Sequence, residues 1–525
     1  MARNHIKQPD PPTENAGDED CQNDVSDKIR RIDVMNMLRE QHTYFMDQNE
    51  TPFCALWNNG VSVVPTESKE YKRFLTSFLM ETYKDFFPSK SMIEDLVNAS
   101  SAIAISSGVQ KNLNVRLYRV NDRNGNVSTV YYDLKGAVVK IDANGWKILD
   151  PDETPILFFH TNAEKPQVFP KRGGQLRELL KLVNIKPEDE VLLMTYLISG
   201  FFNDTPRPLF IATGPAGSAK TTLLKLIGRI ISPSSNECMN LGNVKDTIEF
   251  GRILYRTPVV IYDNLTYLPQ KTQELLCTAC TGFSTDKREH YDNNNSIVYD
   301  DIKRPVLLSA LNLSLNIDLA DRTLRTELYR IKDEDRRQEA EIWAEFNEML
   351  PYLLGAAFDA IQGVIKIYAD TRPPKTGRMA DYYRLAYCAA EVLGYGGQAF
   401  VEAADRQEKE RIDRAIEYNP MITASQFLVK VYGGRFEGTS QDFLSLKMPD
   451  GYTPTLEERE KILSITSNPN WPKAPSWVGR RWNEIAGILL ALGISLELPR
   501  QRWVCLTDLN WGKQNITNLE KNNES

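Results

Sequence analysis

The sequence predicts an α/β core joined to an N-terminal α+β module, a helical lid and a small C-terminal domain of helices and strands. Three observations predict this organisation. An apolar β-branched run breaks at a glycine-rich turn and continues as an amphipathic helix, a later apolar run ends in an acidic residue, and the hydrophobic period changes along the chain between helical and alternating. At 525 residues the chain exceeds one hydrophobic core, so about two to four domains are expected.

Composition is that of a soluble globular protein, with 42% hydrophobic and 25% charged residues. The net charge of −7 excludes a globally basic nucleic-acid coat but not a local basic surface. The seven cysteines are odd in number and scattered, so a disulfide framework is not expected and the cytoplasm is the expected compartment. No apolar run has the length of a membrane span, so no membrane partner is expected.

One close cysteine pair, Cys277 and Cys280, lies in a helical pattern without a second pair or a nearby histidine. A buried helix face is therefore favoured over a zinc or redox site.

The stretch from Pro208 to Ile230 has the strand, loop and helix order of a phosphate-binding loop. Backbone amides of such a loop and the positive end of its helix hold phosphates. Lys220 is expected to reach the β- and γ-phosphates of ATP, and the Thr221 hydroxyl is expected to hold Mg²⁺. The residues assigned to this cofactor are Gly214, Pro215, Ala216, Gly217, Ser218, Ala219, Lys220, Thr221 and Thr222.

Ala219 stands where this motif has its second glycine. Alanine fits if the residue already belongs to the first helical turn, with Gly217 taking the unusual dihedral angles instead. The alternative for the whole stretch is an ordinary glycine-rich turn between a strand and a helix.

The apolar strand that ends at Asp263 predicts the second magnesium ligand, 43 residues after Lys220 (263 − 220). The alternative is any strand with an acid at its end. Asn264 follows, where many ATPases have a glutamate base. Asparagine cannot accept a proton but can orient water, so another carboxylate acts as base or hydrolysis is slow.

Downstream, two β-rich runs separated by the turn at 292–295 predict a hairpin that carries Lys287, Arg288 and His290. A further apolar strand ends at Asn312. Arg322 and Arg325 follow, and the plain alternative for both is a salt bridge on a helix surface.

The N-terminal half contains a small antiparallel β-module, predicted from alternating runs and an Asn-Gly turn at Asn144. The expected boundaries are a disordered tail 1–25, an N-terminal α+β module 26–170, an ATPase core 171–331, a helical lid 332–419, a winged-helix-like domain 420–510 and a flexible tail 511–525.

Together these motifs resemble the ATPase modules of phage and mobile-element primase–helicases, in the superfamily 3 branch of the AAA+ proteins. The resemblance runs from about Asn112 to about Leu509 and includes Arg378-Met-Ala-Asp381 and a tryptophan-proline and winged-helix stretch that starts at Trp471. It implies an AAA+-like fold for the core.

The resemblance also implies roles. Asp263 joins Thr221 on the metal, Asn312 is the sensor that orients water, and Arg322 acts as an arginine finger on ATP bound to a neighbouring subunit. Arg325 is the reserve finger. Arg378 is a second sensor or an interhelical ion pair.

For nucleic acid, the hairpin of Lys287, Arg288 and His290 matches one that projects into a central channel, with a solvated hairpin as the alternative. In the C-terminal domain a winged helix is expected to meet DNA, and a protein-docking domain is the alternative. The residues assigned to DNA there are Arg480, Arg481, Arg500 and Arg502.

The expected function is an ATP-dependent DNA helicase or translocase in the replication of a phage or integrated element. It would act on single-stranded or forked DNA as a ring, expected to be hexameric. The alternative is a nucleotide-switched DNA-binding scaffold with little turnover, which Asn264 favours. Residues 26–170 carry no zinc-ribbon cysteines or paired-carboxylate primase motif, so a separate primase or polymerase is the expected partner.

Overall fold

The computed structural model describes residues 30–57, 61–84, 86–150, 153–241, 244, 246–288, 296–311, 313, 315–500 and 502–511, with backbone alone for 57, 61, 285–288, 296–300 and 418. The tails expected at 1–25 and 511–525 lie outside these residues, apart from Trp511. The chain forms two compact units. One contains the described residues up to Arg116 with 136–138 and 149–162, and the other contains 117–135, 139–148 and everything after 162.

The first unit is a three-stranded antiparallel sheet with three helices. Ser68 and Ser89 cap two of these helices, because their hydroxyls accept hydrogen bonds from the third helical amide. Inside, the Tyr71 hydroxyl lies 2.9 Å from that of Tyr44 and 2.7 Å from that of Ser100. The elements are α1 (Arg31–Gln41), β1 (Thr43–Met46), β2 (Pro52–Trp57), β3 (Val61–Pro65), α2 (Lys69–Thr82) and α3 (Lys90–Ser106).

A second antiparallel sheet has the strand order β4–β5–β6–β7. Its strands lie where the alternating pattern predicts them, but they cluster with the phosphate-loop half of the chain and not with residues 30–116. The reason is packing, since the Tyr132 and Trp146 rings lie 5.2 and 5.8 Å from that of Phe358. The strands are β4 (Leu117–Asn121), β5 (Val127–Asp133), β6 (Val138–Asp142) and β7 (Gly145–Leu149).

The core of the second unit is a four-stranded parallel sheet in the order β13–β8–β12–β9. Every residue of β8 and β12 is buried, as expected for a sheet covered on both faces. Its strands and the intervening hairpin are β8 (Leu209–Thr213), β9 (Val260–Leu265), β10 (Phe283–Arg288), β11 (Ser296–Ile302), β12 (Val306–Ala310) and β13 (Thr323–Glu327).

Five helices accompany this sheet. Cys277 and Cys280 are both buried on one of them, as the helical pattern predicts. The apolar spacing of residues 175–185 predicts a helix, and the structure has a 3₁₀ helix there, Leu176–Leu182. The α-helices are α4 (Glu190–Ser199), α5 (Lys220–Ile231), α6 (Thr247–Arg256), α7 (Gln270–Thr281) and α8 (Ile317–Ala320).

The helix that follows the phosphate loop, α5, is capped at its carboxyl end by side chains from the β4–β7 region. The Tyr132 hydroxyl donates to the Ile231 carbonyl at 3.0 Å. The Gln167 amide donates to the carbonyls of Arg229 and Ile230 at 3.0 and 3.2 Å. These bonds satisfy carbonyls that a helix end leaves without partners.

Three long helices follow the core: α9 (Glu339–Tyr368), α10 (Ala380–Val392) and α11 (Gly397–Tyr418). Among the described residues, α9 alone is long and apolar enough to cross a membrane, and most of its apolar stretch is buried inside the protein. It is a core helix of the second unit, because α10, the 3₁₀ helix and the β5 strand all contact it.

The C-terminal region packs four helices on a three-stranded antiparallel sheet with the order β14–β16–β15. Phe443, Trp471 and Trp482 lie in its core. The sequence predicts three helices and a hairpin here, and the structure adds β14 and α14. The elements are α12 (Pro420–Val431), β14 (Arg435–Thr439), α13 (Ser440–Leu444), α14 (Leu456–Thr466), α15 (Pro475–Ala491), β15 (Ile494–Glu497) and β16 (Trp503–Asp508).

Candidate nucleotide site

The glycine-rich loop between β8 and α5 has three residues with positive φ: Gly214 at 148°, Gly217 at 76° and Ala219 at 61°. Ala219 is left-handed and precedes the helix, which begins at Lys220. The expectation that Ala219 lies in the first helical turn is therefore wrong. An alanine in this region costs about 1–2 kcal/mol, because its Cβ approaches the following carbonyl oxygen.

Gly214 is required by a close approach of the chain. A Cβ on this residue would lie 2.5 Å from the Leu328 carbonyl oxygen and 2.9 Å from the Ser218 hydroxyl. The loop therefore begins at a position where only glycine fits. At its tip, Pro215, Ala216 and Gly217 are exposed, so the surface on which phosphates would bind is open to solvent.

Lys220 folds back over the loop that precedes it. Its ammonium group donates to the carbonyls of Gly214 at 2.8 Å and Pro215 at 2.9 Å. Burial lowers the pKa of Lys220, and the negative charge of Asp263 opposes that shift. Lys220 therefore lies between the loop and the acidic residue at the end of β9.

Thr221 and Asp263, 42 residues apart, lie in direct contact. The Thr221 hydroxyl lies 2.9 Å from Asp263 Oδ1 and 3.0 Å from Oδ2. Ser309 also donates its hydroxyl hydrogen bond to Oδ1 of this carboxylate. A hydroxyl and a carboxylate at the first turn of α5 are the oxygen donors that Mg²⁺ prefers beside substrate phosphates.

Ser309 is a site residue that the sequence does not single out. It lies on β12 opposite an irregularity in β9, where the pairing moves from Tyr262 to Leu265. Its hydroxyl accepts a hydrogen bond from the Asn264 amide at 2.8 Å. The one available signal is its place three residues before Asn312 in an apolar strand.

Asn264 has a φ of 57° and is exposed. The left-handed conformation suits asparagine better than most residues. Asn312, the expected sensor, lies outside the described residues.

Arg322 lies between α8 and β13, not on a helix surface, and Arg325 lies on β13. Arg322 belongs to a cluster of charges in which its guanidinium lies 3.3 Å from Asp318. Arg378 bonds Asp318 at 2.7 Å and also bonds Asp321. Within this chain Arg378 therefore joins Arg322 in one cluster.

This cluster and the phosphate loop lie at opposite ends of the strands of the parallel sheet. The Arg322 carbonyl accepts from the amide of Leu209, the first residue of β8, and the loop begins five residues later at Gly214. At ~3.3 Å per residue along β8, these two ends of the strand are about 16 Å apart. Hydrogen bonds to Asp318 also hold the Arg322 side chain at the amino ends of the strands.

Arg325, the reserve finger, lies beside the phosphate loop of its own chain. Its guanidinium donates to the Leu313 carbonyl at 3.0 Å. It lines a polar cavity of about 340 Å³ that Gly214, Pro215 and Arg414 also border. Arg325 therefore shares a cavity with the glycine-rich loop of its own chain.

The residues assigned to nucleic acid lie elsewhere. β10 and β11 pair antiparallel, and Lys287 and Arg288 lie on β10, with their backbone alone described. His290 lies outside the described residues.

In the C-terminal region, Arg480 is exposed on α15, while Arg481 donates to the Asn470 carbonyl at 2.6 Å. Arg500 stacks its guanidinium 4.0 Å from the Trp503 ring. Arg502 has a φ of 62°, and its carbonyl accepts from the Ser440 amide. Arg481 therefore already bonds a backbone carbonyl, whereas Arg480 is exposed.

Residues 176–402 match a family model described as the actinomycete integrative conjugative element replication protein. The matched region contains the phosphate loop, Asp263, Arg322 and Arg378. The chain is thus similar, over its central part, to replication proteins of a mobile element. No curated protein sequence matches the chain.

Two sets of solved structures resemble the chain. The apo A form of the NrS-1 C-terminal region is 11% identical with a TM-score of 0.42, over 90% of this chain and 98% of that one. The JCV helicase is 13% identical with a TM-score of 0.23, over 41% of this chain and 59% of that one.

Proposed function

We propose that this chain is an ATP-driven DNA helicase or translocase that serves the replication of a mobile element. The observation that carries the proposal is the contact between the Thr221 hydroxyl and the Asp263 carboxylate below a glycine-rich loop. The similarity of residues 176–402 to replication proteins supports the biological setting.

The charge and the exposure of the loop support ATP as its ligand. The exposed tip at Pro215–Gly217 and the amino end of α5 favour a bound anion. Lys220, now bonded to two loop carbonyls, can exchange them for phosphate oxygens. Thr221 and Asp263 would hold Mg²⁺, which would neutralise charge on the phosphates.

Arg322 is proposed to act on the nucleotide of a neighbouring copy. Its distance of about 16 Å from its own loop, estimated along β8, argues for a neighbour as its target. A guanidinium that must serve another subunit requires a head-to-tail interface, and such an interface forms a ring when the rotation between copies closes. The hexamer expected from the sequence is one such ring.

DNA is proposed to contact the C-terminal region and the β10–β11 hairpin. The order of α12, β14, α13, α14, α15 and the β15–β16 hairpin suits a winged helix, with α15 as the helix that meets the groove. Arg480 on α15 and Arg500 at the hairpin connection are exposed cations that could bind phosphates.

A second function, a nucleotide-driven switch with slow turnover, is favoured by Asn264. This exposed side chain follows Asp263 at the end of β9 and cannot accept a proton. A switch of this kind would bind ATP tightly and change its affinity for DNA without rapid hydrolysis.

The test is phosphate release by the purified chain, with and without single-stranded DNA, beside its mass in the presence of ATP. A motor gives DNA-stimulated release by a multimer, and Lys220→Ala abolishes release. Tight ATP binding with negligible release, with or without DNA, would favour the switch. A monomer in ATP that DNA does not stimulate would contradict the motor.

A further inference from the structure

The segment after β13 runs along the phosphate loop. The Leu328 amide donates to the Thr213 carbonyl at 2.8 Å, and the Leu328 carbonyl closes against Gly214. Three residues later, the Ile331 amide lies 3.4 Å from the Gly217 carbonyl. The chain therefore follows the loop from its first glycine to its exposed tip.

This path brings one cation against the loop tip. The Nη2 atom of Arg336 lies 3.3 Å from the position that a Cβ on Gly217 would occupy. The side chain of Arg336 is half exposed, so part of it is open to solvent. The loop motif does not include this residue, which comes more than 100 positions later in the chain.

Arg336 is held there by an acidic partner. Its Nη2 atom lies 3.1 Å from Asp333 Oδ1, and the Asp333 side chain is 81% exposed. Ion pairs between exposed side chains are weak, because water competes for both charges. A polyphosphate offers more charge and several oxygens to one guanidinium, so it competes well for the same group.

We propose that Arg336 is a phosphate-binding residue of the nucleotide site of its own chain, and that Asp333 occupies its guanidinium until a polyphosphate displaces it. This assignment rests on the proposed function, since it requires that the loop bind ATP. It adds to the site a cation from outside the loop, and an acid that opposes binding.

The experiment is isothermal calorimetry on the full chain, with MgATP and with inorganic triphosphate plus Mg²⁺ as the two probes. Arg336→Ala raises Kd for both probes by about tenfold, as expected for the loss of a charge-assisted hydrogen bond. Asp333→Asn lowers both Kd values by about threefold, because the competing carboxylate is neutralised.

The matched control is Arg337→Ala. Arg337 is the next residue, carries the same charge, and pairs with Glu345 of α9 at 2.6 Å. Its removal leaves both Kd values within about twofold of the wild type, since it does not contact the loop. Arg336→Lys, which keeps the charge but loses the forked geometry, gives an intermediate Kd and confirms that the site is folded.

Equal Kd values for the Arg336→Ala and Arg337→Ala variants would overturn the assignment of Arg336 while leaving the proposed function intact. A loss seen with MgATP but not with triphosphate would overturn it too, because Arg336 would then contact the base or ribose. Wild-type protein that binds neither probe would instead overturn the proposed function.

Discussion

At the scale of residues, the site depends on how one carboxylate is oriented. Asp263 accepts hydrogen bonds from Thr221 and Ser309, on the first turn of α5 and on β12. Ser309 also bonds the Asn264 amide and so holds the irregular end of β9. A residue in the second layer of a metal site fixes the orientation of the ligand, and its loss typically lowers metal affinity or activity by about 10–100-fold.

Ser309→Ala is expected to lower ATP turnover by about tenfold and to raise the Mg²⁺ concentration required for half-maximal rate. The cause is the loss of the hydroxyl that orients Asp263. Steady-state phosphate release across a Mg²⁺ titration measures both effects. The control is Ser425→Ala, an equally buried serine on α12 that bonds the Met421 carbonyl. Similar turnover in the two variants would contradict the role of Ser309.

Ala219→Gly is expected to stabilise the protein by about 0.5–1 kcal/mol, because glycine adopts the left-handed conformation without the Cβ conflict but loses more entropy on folding. Urea unfolding measures the change. Ala216→Gly is the control within the same loop, because Ala216 has a negative φ and gains nothing. If both substitutions destabilise the protein equally, the left-handed strain at Ala219 is not the cause.

At the scale of elements, the sequence predicts local patterns well. The structure has β8, α5 and β9 where the strand–loop–helix order and the acid-ended strand predict them. It also has β4 to β7 where alternation and the Asn144–Gly145 turn predict them. These elements are set by residues adjacent in sequence, through period and turn chemistry.

The contacts that the sequence does not predict are those set by which strands become neighbours. Ser309 meets Asp263 because β12 pairs with β9, and Arg325 approaches Gly214 because β13 pairs with β8. Those pairings join residues 46 positions (309 − 263) and 111 positions (325 − 214) apart, and no local pattern predicts them. The same holds for Arg336, and for the packing of Trp146 on Phe358.

The cap of α5 is an element-scale feature with a measurable contribution. Gln167→Ala is expected to lower the free energy of unfolding by about 2 kcal/mol, because it removes the donor from one buried and one partly buried helix carbonyl. Urea unfolding followed by circular dichroism measures it. Gln398→Ala, at an exposed glutamine on α11, is the control and should change stability by less than about 0.5 kcal/mol. Equal effects would show that Gln167 does not stabilise α5.

At the scale of the whole molecule, the parallel sheet separates two groups of proposed catalytic residues. The phosphate loop follows the carboxyl end of β8, and Arg322 precedes the amino end of β13. One copy of the chain therefore has the loop and Arg322 at opposite ends of the sheet's strands. A complete site would be composed of the loop from one copy and Arg322 from the next.

Mixing two inactive variants tests this directly. Lys220→Ala lacks the loop lysine but keeps Arg322, and Arg322→Ala has the reverse defect. In a random 1:1 mixture about a quarter of the head-to-tail interfaces would combine an intact loop with an intact arginine. Phosphate release should therefore recover to a comparable fraction of the wild-type rate.

The control for this mixture is the Lys220→Ala, Arg322→Ala double variant, which restores nothing when mixed with either single variant. If Arg322→Ala alone retains wild-type turnover, Arg322 does not act on any bound nucleotide.

The helix α5 joins two distant parts of this architecture. Its twelve residues span about 18 Å, with the phosphate loop at one end and the Tyr132 and Gln167 hydrogen bonds at the other. A short helix is stiff along its axis, so we expect a displacement of the loop to reach Tyr132 on β5 and Gln167. We therefore expect amide exchange at β5 to change when the loop binds a ligand, because α5 connects the two.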